Sequence, residues 1–151
     1  MRNTQEITVR RALPEDEEVF YRLNCGLSEK ELSRHGFSAA FRENIALPNA
    51  CYLAADKNGE IIGMGSCHVQ RHLHHAAPVA EILELYVVPG HRSTGAGAVL
   101  LESLTEFAKS KNAVQLELST HKRRVDAHRF YAREGFEYSH FKWVKVLDTS
   151  G

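Results

Sequence analysis

Residues 80–119 hold a near-continuous apolar run, AEILELYVV (80–88), then a glycine-bearing turn, HRSTGAG (91–97), an amphipathic stretch, AVLLESLTEFA (98–108), and an alternating run, VQLELS (114–119). Two strands separated by a helix require a helical crossover, and the apolar character of the first strand suits a central place in a sheet. Apolar residues at 97, 100, 101, 104, 107 and 108 trace one helical face. Lys109 and Lys111 lie at its C-terminal end, where the helix dipole favours cations.

The remaining segments arrange themselves around that unit. Asn58-Gly59, between two apolar runs, signals a tight hairpin because a type I′ turn needs two residues tolerant of positive φ. Antiparallel strands are therefore predicted over 49–56 and 60–70, with a first strand at ITVRRA (7–12). Pro14 and the acidic PEDEE favour a helix start, and FSAAFRENIAL (37–47) fits a second amphipathic helix stopped by Pro48. DAHRFYAREG (126–135) reads as a short helix capped by Gly135, and FEYSHFKWVKVL (136–147) alternates as a final strand should. The predicted order is β-α-α-β-β-β-α-β-α-β, a mixed α/β fold with an antiparallel first half in a single domain of 151 residues.

Formal net charge is zero, so no global field points to nucleic acid or a membrane surface. Cys25, Cys51 and Cys67 are odd in number and widely spaced, which argues for free thiols rather than a disulfide framework. They also lack an adjacent His/Asp motif that would activate a covalent nucleophile. No apolar run is long enough to span a membrane and the first residues are polar, so a cytoplasmic location is expected.

The turn at 91–97 is open to two readings. Gly95 and Gly97 can simply permit a tight strand-to-helix connection, or they can admit an anionic ligand to the free N–H groups of the helix, with Arg92 adding charge. Two phosphate loops are excluded. Ala96 and Gly97 stand where a P-loop needs Lys and Ser/Thr, and Leu100 occupies the third glycine position of the dinucleotide fingerprint.

What remains is Arg92-x-x-Gly95-x-Gly97 after a strand ending Val-Val-Pro, with Phe130-Tyr131-x-x-x-Gly135-Phe136 about 40 residues later. In these motifs and in its element order the chain resembles the GNAT superfamily of acetyl-CoA-dependent N-acetyltransferases. The resemblance implies a twisted, mostly antiparallel mixed sheet flanked by helices, and a pyrophosphate cradle built from Arg92 and the amides of Gly95, Ala96, Gly97 and Ala98. It implies that the backbone of Val87 and Val88 pairs with pantetheine, that Tyr131 protonates the leaving thiolate, and that the protein can dimerise. Arg124 stands where the family usually has asparagine.

HLHHAAPVAEILEL (72–85) and ELSTHKRRVDAHRFYAREGFEYSHF (117–141) also resemble the bacterial aminoalkylphosphonate N-acetyltransferases. This implies a small aminophosphonate as acceptor and activity stimulated by a divalent metal. Direct transfer in a ternary complex is expected. Another small amine (an aminoglycoside, a polyamine or an amino acid) and a non-catalytic acyl-CoA-binding module are the alternatives. Glu81 is the first candidate for a water-mediated base and Glu84 the second, the two lying on opposite faces if the strand alternates regularly. His72, His74 and His75 suit a metal or a phosphonate dianion, with His72, His74 and Glu81 as a trial ligand set. On a continued strand His72 and His74 share a face and His75 does not. Asp126 and His128, near the start of the last helix, are further candidates on the substrate side, set against helix capping and surface exposure.

Overall fold

Asn58 and Gly59 both adopt positive φ, 54° and 85°, and so reverse the chain between β2 (Ala50–Lys57) and β3 (Glu60–His72) as a two-residue turn requires. The structure, a computed structural model, describes residues 6–147. These residues fall into two compact units, one ending at Leu118 and the other starting at Ser119.

In the first unit β1 (Ile7–Arg11), β2, β3, β4 (Ala77–Val87) and β5 (Leu116–Leu118) form a sheet in that spatial order. The first four are antiparallel neighbours; β5 returns parallel to β4 through the crossover helix α3 (Ala96–Ser110). Successive side chains on a strand point to opposite faces, so β3 sorts its residues between two layers. Met64 faces α1 (Glu17–Ser28) and α2 (Arg34–Ile45), where Phe20, Leu23 and Phe41 close over it and Ala54. Gly63 and Gly65 face α3 on the other side. A Cβ on Gly65 would come within 3.0 Å of Leu104 Cδ1, so the bare backbone lets α3 settle onto the sheet with Leu100 and Leu104 fully buried.

The second unit contains α4 (Val125–Arg133), followed by Gly135 at φ 91°. The Phe136 N–H returns to the Tyr131 carbonyl at 3.0 Å, and the Tyr131 ring meets those of Phe130 and Phe136 at centroid distances of 5.3 and 5.7 Å. The final strand expected over 136–147 does not form; these residues have neither helix nor strand. Alternation assigns side chains to faces, but a strand exists only where its N–H and C=O groups meet a neighbouring ladder. Tyr138, Phe141, Trp143 and Val146 are accordingly exposed.

Two strand irregularities set the registers of β3 against its neighbours. Opposite β2, Gly63 pairs with Ala55 and Ile61 with Asp56, which leaves Ile62 as an extra residue. Opposite β3, Glu84 pairs with Ser66 and Ile82 with Cys67, which leaves Leu83 extra on β4.

At the other end of β1, Asp16 is 7% exposed and accepts hydrogen bonds from Arg10 Nη1 (2.8 Å), Arg10 Nη2 (2.9 Å) and the Leu13 N–H (2.7 Å). The guanidinium holds this carboxyl below its ordinary range, against the opposing effect of burial. The pair's contribution is therefore complete above the unfolded carboxylate range and lost as pH falls through the depressed native value. Because the Arg10 side chain is 38% exposed, solvent screens part of the attraction. Asp16→Asn should cost about 2 kcal/mol in urea unfolding at pH 7, and the deficit should close as pH is lowered through the native Asp16 titration.

Candidate functional site

The turn at 89–95 is built by Pro89–Thr94, a 3-10 segment, and by Gly95, which reaches φ 87° as the N-cap of α3. A Cβ at Gly95 would meet nothing within 4 Å, so conformation rather than crowding demands glycine there. The amides of Ala96, Gly97 and Ala98 open the helix and have no carbonyl one turn earlier to receive them. Arg92 leans back onto β4: its Nε donates to the Val87 carbonyl at 3.0 Å and its guanidinium lies 5.5 Å from the Tyr86 ring centroid.

Beside this helix start the sheet is open. β5 pairs with β4 only from Ala80 to Ile82, so Leu83–Val87 has no strand on that side among the described residues. The Val88 N–H donates to Ile62 O and the Val88 carbonyl accepts from the His91 N–H, both at 2.9 Å. Both backbone groups of Val88 are thus engaged. That same bond makes Gly63 and Val87 a non-hydrogen-bonded pair, so the Val87 N–H and C=O point to the open edge.

The bulge at Leu83 corrects the expectation for the two carboxylates. Glu84 lies opposite Ser66 and Glu81 opposite His68, and Ser66 and His68 share a face of β3. Glu81 and Glu84 are therefore on the same face. They differ in surroundings. Glu81 is exposed and lines a cleft of about 260 Å³ with His68, Gln70, His72, Leu83 and Glu117. Glu84 accepts from Ser66 Oγ at 2.7 Å while its own N–H donates to the same oxygen at 3.1 Å, and burial pushes its carboxyl up.

β3 ends at His72, and Leu73–His75 turn as a 3-10 segment. The turn, in place of a continued strand, brings His75 to the other two imidazoles. The three ring centroids are 4.3–5.7 Å apart, and one ligand nitrogen from each lies within 4.8 Å of the others. His72 Nδ1 is buried without a hydrogen-bond partner. Glu81 is not a member of this cluster, although it lines the same cleft as His72.

Several polar groups here were not singled out in the sequence. Tyr52 Oη accepts from Asn44 Nδ2 (3.0 Å) and is 2.7 Å from His68 Nε2. Burial pushes the Tyr52 phenol up to about 12 and the His68 imidazole below its usual value, the latter against the pull of Glu81. Polar Ser66, His68 and Gln70 alternating with Cys67 and Val69 were the available signal. In the second unit, burial raises the Tyr131 phenol. There, Asp126 forms an exposed 3.9 Å ion pair with Arg129, His128 Nε2 lies 3.0 Å from the His121 carbonyl, and Arg124 is the N-cap of α4 with no side-chain capping bond. Cys25, Cys51 and Cys67 are all free; burial pushes Cys51 up and Cys67 to about 12, which keeps both as thiols.

A positive-φ glycine opens a helix whose first N–H groups can receive an anion, and the edge of β4 beside it is unpaired beyond Ile82 among the described residues. Residues 14–136 match the Acetyltransferase (GNAT) family. The chain belongs to the GNAT acetyltransferases. It is 45% identical over 139 residues to the aminoalkylphosphonate N-acetyltransferase of Salmonella typhimurium, covering 92% of this chain and 90% of that one. Among solved structures it resembles a transcriptional regulator from Bacillus halodurans (TM-score 0.86, 25% identity, 94% and 100% of the two chains). A putative acetyltransferase from Agrobacterium tumefaciens shares the fold (TM-score 0.82, 23% identity, 93% and 99%). The GNAT chain is thus an acetyl-CoA-dependent N-acetyltransferase with acetyl-CoA as acyl donor, and no described helix is long and apolar enough to cross a membrane.

Proposed function

We propose that this acetyltransferase acetylates the primary amine of a small aminoalkylphosphonate by direct attack on acetyl-CoA in a ternary complex. The 45% identity across 92% of the chain carries the acceptor class. The cleft supports it. Glu81 and Glu117 stand opposite each other on β4 and β5 and suit an ammonium group, while His72 lines the same cleft and leads to His74 and His75. An acceptor positive at one end and anionic at the other matches that distribution.

Acetyl-CoA is assigned to the open edge. The amides of Ala96, Gly97 and Ala98, with Gly95 and Arg92, take the pyrophosphate, and the Val87 N–H takes a pantetheine carbonyl. The substrate ammonium first gives up one proton to a base in the cleft; the neutral amine nitrogen then attacks the thioester carbonyl carbon, the C–S bond breaks, and the electron pair leaves on sulfur. Tyr131 is assigned as the acid for that thiolate, its phenol then refilled by the second proton of the amine. A raised pKa keeps the phenol protonated at neutral pH, as the role needs. Glu81 is assigned to hold the substrate ammonium; Glu84, tied to Ser66, is not among the cleft-lining residues.

A divalent transition metal fits the three imidazoles, because one nitrogen from each lies within 4.8 Å of the others and His72 has a buried Nδ1 lacking a partner. Bound there, a metal would neutralise phosphonate charge.

Coenzyme A release across an amine panel is expected only with aminoalkylphosphonates. Turnover restricted to aminoglycosides, polyamines or amino acids would transfer the assignment to those acceptors, and acetyl-CoA binding without any turnover would leave a binding module. Tyr131→Phe should lower kcat by about 10²-fold or more with acetyl-CoA binding retained; an unchanged kcat removes Tyr131 from the chemistry. Calorimetric titration of chelator-treated protein with Ni²⁺ should show one site that is lost in His74→Ala and His75→Ala, and equal binding by both variants would refute the imidazole site.

A further inference from the structure

Tyr52, Ser66 and Glu84 form one row across β2, β3 and β4, each directly opposite the next. His68 is the next residue along the same face of β3, with its Nε2 2.7 Å from Tyr52 Oη. Its other nitrogen, Nδ1, makes no hydrogen bond to another described residue, and the ring lines the cleft that Glu81 and Glu117 border. We infer that His68 is the base that takes the first proton from the substrate ammonium, and that Glu84, acting through Ser66 and Tyr52, holds it in the tautomer that can do so. The inference deepens the proposed amine acetylation and rests on it.

The direction of the hydrogen bonds carries the argument. In its ionised form the Glu84 carboxylate only accepts, and Ser66 then donates its hydroxyl proton to Glu84 Oε1. Ser66 Oγ is then left as an acceptor: it takes the Glu84 N–H and, in the proposed arrangement, the hydroxyl proton of Tyr52, which stands opposite it on β2. With its own proton directed at Ser66, Tyr52 Oη accepts from Asn44 Nδ2 and from His68 Nε2–H. His68 therefore carries its proton on Nε2, and Nδ1 presents a lone pair to the cleft. The reverse tautomer would place N–H on Nδ1 and leave nothing to receive a proton.

The step balances. The ammonium N–H bond breaks, its electron pair stays on nitrogen, and the proton moves to His68 Nδ1. The free amine then attacks the thioester, and the imidazolium later returns its proton to solvent. Neutral imidazole is the resting state, because burial lowers the His68 pKa more than Glu81 raises it. The titratable groups facing His68 are Tyr52 from β2, Glu81 and Glu84 from β4, Glu117 from β5 and His72 farther along its own strand; α2 contributes the uncharged Asn44. Tyr52, with a phenol near 12, stays protonated and serves as a conduit for orientation.

The wild-type pH profile of kcat/KM for an aminoalkylphosphonate should fall on the acid side of pH 6.5, the unperturbed imidazole value. In His68→Gln the rate should drop about 10²- to 10⁴-fold. Its acid limb should move up to the amine's own pKa, since only amine already deprotonated in solution can react. Tyr52→Phe and Ser66→Ala should lose between about 2- and 12-fold in kcat, the equivalent of one net hydrogen bond. ¹⁵N NMR of the free wild-type protein, with His68 assigned by difference against His68→Gln, should show the Nε2–H form, and Glu84→Gln should shift it toward Nδ1–H. A wild-type His68 in the Nδ1–H form, or a His68→Gln profile with its limb unmoved, overturns the inference. A wild type that acetylates no amine at all overturns the proposed acetylation instead, and the NMR result then bears on the tautomer alone.

Discussion

The registers of β3 against its two neighbours are the constraint on which the polar face depends. A bulge adds one residue to one strand, and every side chain beyond it changes partner. The bulge at Ile62 places Tyr52 opposite Ser66. Continuing the pairing of Lys57 with Glu60 straight from the hairpin would instead set Tyr52 against Gly65. The bulge at Leu83 then sets Glu84 opposite Ser66 and turns Glu81 to the same side. Neither irregularity disturbs the opposite face, where Gly63 and Gly65 still accept α3.

Burying a carboxylate such as Glu84 is costly unless its lone pairs are met. Ser66 meets one, and the reciprocal bond from the Glu84 N–H fixes the serine in place. Asp16 is buried where Glu84 is half-buried, but it has a guanidinium beside it, so its carboxyl is held down where that of Glu84 is pushed up. The contrast separates a structural from a chemical use of one functional group. Asp16 anchors the entry to α1 with a full countercharge, whereas Glu84 has only neutral donors and can orient a hydroxyl chain.

Much of this was legible in the sequence, for reasons that are local. Asn58-Gly59 fixed its turn by backbone conformation alone, and the spacing from Arg92 to Gly97 marked the helix start because positive φ at Gly95 is a property of one residue. What was not legible depends on pairing. The expected opposition of Glu81 and Glu84 assumed an unbroken period of two, and nothing in ILELYV announces an extra residue at Leu83. The inclusion of His75 with His72 and His74 required knowing that β3 stops at His72. His68 stood unnoticed ahead of the better-marked histidines at 72–75 because its importance lies in Tyr52, sixteen residues away in sequence and adjacent only after the hairpin closes. The aromatic alternation of 136–147 was a true periodicity, but a period does not supply a neighbouring strand.

The cleft sets two electrostatic requirements against each other. An ammonium substrate is drawn by negative charge, and Glu81 and Glu117 supply it. A histidine base must be neutral to accept a proton, and negative charge nearby favours its protonated form. Both are met only if burial of the imidazole outweighs the carboxylates, and at His68 it does. The histidines of the 72–75 cluster form a separate group, three rings with one nitrogen of each within 4.8 Å of the others. One strand and the turn that ends it can thus use the same side chain for two tasks, because β3 tucks His68 against Tyr52 and ends, four residues later, at His72, where the turn gathers the cluster.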